Sequence, residues 1–191
     1  MKKIAIFASG TGSNALNIIG YFRQNPTISV TDLLCNKKDA PVIEKAKNAG
    51  VRTFLFGKEE FYNSDVVYDY LVGHNIDVIV LAGFLWLVPE KIVNAFPYRI
   101  LNIHPALLPA FGGKGMYGSK VHAAVLKSGD PESGITIHFV NVHYDAGSII
   151  HQSKCSVNDT DTPESLAAKV HELEHRYYPG VIEQVALGLL P

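Results

Sequence analysis

Through its first hundred residues the chain alternates short, mostly apolar runs with amphipathic stretches, and this alternation limits the fold more than any other feature. Residues 3–8 and 76–82 have the near-continuous apolar character of strands covered on both faces. Residues 28–35 and 51–56 read as strands of the same sheet. Between them lie helical patterns. One follows Ser13-Asn14, with Ala15, Leu16, Ile18, Ile19 and Phe22 on one side. A second covers residues 40–49 and is ended by Gly50, and a third covers residues 59–73 and is closed by Gly73. Strands alternating with helices imply a doubly wound, mostly parallel α/β sheet with right-handed crossovers. Ligands of such sheets sit beyond the carboxyl ends of the strands.

The second half departs from that rhythm. A short helix over 89–94 leads into a strand over 99–103, and a helix over 119–127 follows. Residues 134–140 alternate as a strand, and residues 148–157 are expected to pair with them antiparallel. Asp161-Thr162-Pro163-Glu164 starts a long C-terminal helix, with Thr162 as N-cap and Pro163 at the first helical position. With 191 residues, 47% of them hydrophobic, the expectation is one domain over 1–191.

Composition removes some functions. Seventeen basic residues against 18 acidic ones give no reason to expect a nucleic-acid binder. No apolar run is long enough to span a bilayer. The opening Met1-Lys2-Lys3-Ile4-Ala5-Ile6-Phe7 is followed too soon by Ser9-Gly10-Thr11-Gly12 for a leader, so it is read as the first strand. Cys35 and Cys155 lack metal-ligand spacing, and reduced thiols in a cytoplasmic protein are expected.

Five segments carry candidate chemistry. Leu101-Asn102-Ile103-His104-Pro105 is a buried strand that stops at a proline, with Asn102 and His104 on one face because they are two apart. An amide donor beside a titratable ring at a sheet mouth suits negative charge developing on oxygen, while a capped strand end is the simpler reading. Gly10, Gly12, Ser13 and Asn14 join the first strand to the first helix, as in phosphate-binding turns. The second strand ends in Asn36-Lys37-Lys38 without the acid that a dinucleotide ribose needs, which favours a phosphomonoester or a plain tight turn. The apolar stretch from Ala82 to Pro89 either tucks under the domain or lines a pocket for a flat ligand. Asp145, before Ala146-Gly147, is either a turn former or the acid that orients a histidine. His171-Glu172-Leu173-Glu174-His175 fits a zinc-binding pattern, but no third ligand is evident. The glycines of residues 112–118 suggest a mobile loop near the site.

Ser9-Gly10-Thr11-Gly12-Ser13-Asn14, Leu81-Ala82-Gly83-Phe84, the stretch from Leu101 to Pro109 and Asp145-Ala146-Gly147 together resemble the phosphoribosylglycinamide formyltransferases, a folate-dependent family. The resemblance runs over essentially the whole chain. It implies a Rossmann-like fold with a phosphate-binding half over about 1–100 and a catalytic and folate half over about 101–191. It implies formyl transfer from 10-formyltetrahydrofolate, as cosubstrate, to glycinamide ribonucleotide, with no metal. Asn102, His104 and Asp145 would be catalytic. Gly12, Ser13, Asn14 and Glu174 would bind the ribonucleotide. Leu85, Trp86, Leu87, Val88, Asn102 and Val140 would hold the folate. No nucleic acid or membrane is expected as partner, and the protein would be a monomer or homodimer in the cytoplasm. The rivals are a formyltetrahydrofolate deformylase and a formyltransferase for another amine. Relatives of those kinds carry extra domains that are not expected here. Three departures from the family pattern stand out. Trp86 replaces a frequent arginine, no arginine lies near Ser64 for the folate tail, and the 112–118 loop is long.

Overall fold

The computed structural model describes residues 1–190. Seven strands form one sheet in the order β3-β2-β1-β4-β5-β6-β7. They are β1 (Lys2–Ala8), β2 (Ile28–Cys35), β3 (Arg52–Leu55), β4 (Val78–Leu81), β5 (Ile100–His104), β6 (Glu132–Phe139) and β7 (Ile149–Ser156). The first five are parallel, while β6 and β7 run antiparallel to their neighbours. The helices are α1 (Ser13–Phe22), α2 (Pro41–Asn48), α3 (Val66–Gly73), α4 (Glu90–Ala95), α5 (Ser119–Ser128) and α6 (Pro163–Ala186).

Alternation along each central strand feeds two cores. Ile4, Ile6 and Ala8 of β1 and Val78 and Val80 of β4 pack with α1, α2 and α6. Their neighbours Ala5, Phe7, Ile79 and Leu81 pack on the other side with α3, α4 and the aromatic rings of Phe56, Phe61 and Phe84. On β5 and β6, Leu101, Ile103, Ile135 and Ile137 join the first core. Side chains two apart share a face, so Asn102, His104, Thr136 and His138 face the opposite way.

The expected third helix over 59–73 is divided. Residues Glu59–Asn63 make a π-helical turn, Ser64 is extended, and α3 begins at Val66. The Ser64 hydroxyl bonds the Glu60 carbonyl at 3.3 Å, a local alternative to the helical ladder that Asn63-Ser64-Asp65 favours.

Helix α6 opens as its sequence predicts, with Thr162 Oγ1 accepting from the Ser165 N–H at 3.2 Å and Pro163 in the first turn. It then runs straight through Pro179, which has no N–H for the carbonyl of His175. Asn17 of α1 supplies that donor, its Nδ2 lying 2.8 Å from the His175 oxygen. The fully buried Tyr178 places its hydroxyl 3.0 Å from the Leu81 carbonyl and 3.1 Å from that of Leu101. Through it α6 is fixed to the end of β4 and the start of β5. No helix of the described residues is long and apolar enough to cross a membrane.

Candidate active site

One cleft of about 880 Å³ opens at the carboxyl ends of β1, β4 and β5, large for a small-molecule site. Its floor carries the strand-end pair. Pro105 stops β5 just after His104, whose side chain is buried. Asp145 comes from the turn between β6 and β7 with φ at 52°, a left-handed conformation that aspartate tolerates. Two residues on, Gly147 lies so close to the Phe139 carbonyl that a Cβ would overlap it. That close approach folds the turn back over the sheet. Asp145 is therefore both turn former and histidine partner.

Its carboxylate is the hub of the floor. Oδ2 lies 3.5 Å from His104 Nδ1 and accepts from the Gly113 N–H at 2.9 Å. Oδ1 accepts from Asn102 Nδ2 at 3.4 Å and lies 3.6 Å from His138 Nε2. Burial pushes the Asp145 carboxyl up, but the contacts to His138 and His104 and the Gly113 N–H outweigh it and hold it below the usual carboxylate range. His104 is shifted the other way. Burial pushes its pKa down, against the Asp145 charge and the Phe111 carbonyl, which Nε2 meets at 2.7 Å. Both ring nitrogens face oxygen acceptors, so the protonated ring is the form this geometry satisfies. It is fully present only below the depressed pKa.

The sequence reading missed His138. It pairs directly with Asn102 across the β5–β6 ladder, and its Nε2 lies 3.1 Å from Asn102 Nδ2. His138 Nδ1 meets the Phe139 carbonyl at 2.8 Å. The alternation Gly134, Thr136, His138 was the available signal, but only the register shows which strand that face meets.

One wall is the turn before α1. Gly12 has φ at 79°, and a Cβ there would overlap the Val42 side chain, so both space and conformation require glycine. Gly12, Ser13 and Asn14 all line the cleft, and no side chain caps the start of α1. Its free N–H groups and the helix dipole suit an anion. The Asn14 side chain is committed elsewhere, since its Nδ2 donates to Glu174 Oε2 of α6 at 2.8 Å. The side-chain hydroxyls of Thr11 and Ser13, which also line this wall, remain for an anion.

The opposite wall is the apolar stretch after β4, and it does both things its sequence allows. Phe84 and Val88 are buried in the second core, while Leu85, Trp86, Leu87 and Val88 also border the cleft, as does Val140. Trp86 is held among the rings of Phe56, Phe61 and Tyr62. The Tyr62 hydroxyl donates to the Leu87 carbonyl at 3.1 Å. Near α6 the cleft is bordered by His122, His171 and Glu174. In the zinc-like string, His171 Nδ1 is taken by Glu174 Oε2 at 2.7 Å. Among the described residues no group of three or more histidine, cysteine, aspartate or glutamate side chains is placed to hold a metal.

A doubly wound sheet with a deep cleft at its carboxyl edge, walled by an anion-accepting turn and an apolar loop, marks an α/β protein with a small-molecule site. The chain belongs to the formyl transferase family, whose family model matches residues 2–182. It is 48% identical over 187 residues to the chloroplastic phosphoribosylglycinamide formyltransferase of Arabidopsis thaliana, covering 95% of this chain and 64% of that protein. It thus spans less than two thirds of that relative, and 60% of the similar protein of Vigna unguiculata. With the phosphoribosylglycinamide formyltransferase of Bacillus subtilis it shares 37% identity over 194 residues, covering 99% of this chain and 96% of that one. The crystal structure of glycinamide ribonucleotide transformylase 1 from Symbiobacterium toebii superposes with a TM-score of 0.90 at 34% identity, covering 98% of this chain and 89% of that one.

Proposed function

We propose that this chain, as one domain, transfers the formyl group of 10-formyltetrahydrofolate to the amine of glycinamide ribonucleotide. The products would be formylglycinamide ribonucleotide and tetrahydrofolate, as a step of de novo purine synthesis. The observation that carries the reading is the position of Asn102, His104 and Asp145 between an anion-accepting wall and an apolar wall of one cleft. The names of the relatives support it. The ribonucleotide phosphate lies at Gly12, Ser13 and Asn14, with Glu174 contacting the rest of that substrate. The folate ring lies against Leu85, Trp86, Leu87, Val88 and Val140, its formyl group over Asn102.

The amine lone pair attacks the formyl carbon, and the carbonyl electrons move onto oxygen. Asn102 turns to that oxygen the N–H that meets Asp145 Oδ1 only at 3.4 Å. His104, protonated before the attack, sets its positive charge against the oxyanion and keeps its proton throughout, with Asp145 stabilising the imidazolium. The tetrahedral intermediate collapses when its bond to the folate nitrogen breaks. The proton lost by the attacking amine passes through water to that nitrogen, the leaving group. Neither step requires a metal. A cytoplasmic location accords with the two free cysteines.

Incubation with both substrates should give formylglycinamide ribonucleotide and tetrahydrofolate in equal amounts. Formate release independent of the ribonucleotide would refute the reading and favour hydrolysis.

A further inference from the structure

The string His171-Glu172-Leu173-Glu174-His175 takes on a different meaning once its partners are traced. Two donors converge on a single oxygen of Glu174. His171 Nδ1 reaches Oε2 from one turn earlier on α6 at 2.7 Å, and Asn14 Nδ2 reaches it from α1 at 2.8 Å. Glu174 is only 7% exposed, so its carboxylate depends on such donors. Its second oxygen, Oε1, accepts no hydrogen bond from the described residues.

The Asn14 amide shows how firmly this arrangement is set. Its Oδ1 is buried without a partner. Turning the amide over would give up the charge-assisted bond to Glu174, so the orphaned oxygen is tolerated. His122 Nδ1, on α5 at the same border of the cleft, is likewise buried and unpartnered. Glu174 and Asn14 both line the cleft, but Asn14 Oδ1 is sealed from solvent, which leaves Glu174 Oε1 as the acceptor open to a ligand. An unpaired carboxylate oxygen there matches a ligand with hydroxyl or amine donors rather than an anion.

We propose that His171 is a positioning residue for substrate recognition, holding Glu174 with Asn14 so that Oε1 alone meets the donor groups of the ribonucleotide. This rests on the reading that Glu174 contacts that substrate. His171 is half-exposed at the cleft border, so removing it does not open the core. The hydrogen bond to Glu174 also raises the His171 pKa, as an ion pair requires.

The test compares H171A, H171N and the double variant H171A/E174A with wild type. Steady-state kinetics are paired with calorimetric titration of glycinamide ribonucleotide. An asparagine Nδ2 occupies nearly the place of the imidazole Nδ1, so H171N keeps the donor without the ring. H171A should raise KM and Kd for the ribonucleotide about tenfold, the effect of one hydrogen bond to a charged group. Its kcat and its KM for the folate should stay within about twofold. H171N should recover most of the loss, and in an E174A background H171A should add almost nothing. An H171A variant with wild-type ribonucleotide affinity, or effects of H171A and E174A that simply add, would overturn the proposal. The binding titration separates this from the reaction itself. A wild type that binds the ribonucleotide but never formylates it would refute the proposed reaction, while the H171A and H171N affinities would still decide the role of His171.

Discussion

Helix α6 survives an internal proline because another helix supplies the missing donor, and this dependence can be measured by a double-mutant cycle. In the wild type, Asn17→Ala leaves the His175 carbonyl without its 2.8 Å partner in a turn shielded by α1. An unsatisfied carbonyl of this kind costs about 1–3 kcal/mol, and partial access to water places Asn17→Ala near about 1–2 kcal/mol. Pro179→Ala gives residue 179 an N–H of its own, which reaches the same carbonyl by ordinary i to i−4 bonding. In that background Asn17→Ala should cost less than about 0.5 kcal/mol, for a coupling of about 0.5–2 kcal/mol. The cycle does not need the sign of Pro179→Ala alone, where lost ring packing opposes the gain in helix propensity. Urea unfolding of the four proteins measures the terms, with a common m-value confirming the same transition. In a chain this long, each kcal/mol should move Tm by roughly 2–4 °C. Because His175 adjoins Glu174, Asn17→Ala should also raise KM for the ribonucleotide more than for the folate. Costs that add to within about 0.3 kcal/mol would refute the reasoning, since the two residues would then not share one carbonyl.

Three further outcomes follow from the site and the core. Asn102→Ala should lower kcat about 10²–10³-fold, the usual loss for one oxyanion donor, with stability nearly unchanged. Near-normal turnover would remove Asn102 from the chemistry. Asp145→Asn withdraws the negative charge that raises the His104 pKa against burial. The limb of kcat/KM that follows the protonated ring should move to lower pH, and a limb that stays put or moves up would contradict this coupling. The Asp32 carboxyl is buried, which pushes it up, yet the paired nitrogens of Arg52 at 2.9 and 2.8 Å and the Tyr70 hydroxyl hold it below its ordinary value. A depressed carboxyl contributes stability that is complete above its unfolded pKa, about 4, and is lost as pH falls through the folded value. Asp32→Asn should therefore destabilise at neutral pH, and its deficit against wild type should shrink below about pH 4. A deficit independent of pH would point to packing rather than charge.

What could be read from residues alone follows the range of the forces involved. The sheet and most helices were legible because periodicity and turn glycines are local signals, and Asn102 and His104 shared a face because the strand period is two. The break at Ser64 escaped because a single hydroxyl competing for the Glu60 carbonyl leaves the apolar pattern of 59–73 intact. His138 escaped for a longer-range reason, since only strand register sets it opposite Asn102. The seam between α1 and α6 lies furthest from sequence. Asn14 meets Glu174, Asn17 meets the His175 carbonyl, and Tyr21 meets Glu183, across about 160 residues of chain. Asn14 and Glu174 were legible as site residues but not as each other's partners, while Asn17, Tyr21 and Glu183 look like ordinary solvent-facing composition when read alone. Their spacing on α1, three and then four residues apart, is that of a single helix face. That face does two jobs that are hard to separate. It completes the hydrogen bonds of a proline-interrupted helix, and at its cleft end it orients the carboxylate of Glu174. A site whose substrate wall is built from the ladder that holds its helices together should lose recognition and stability together when that ladder is cut at Asn17. Cut at His171, which belongs to the wall alone, it should lose recognition only.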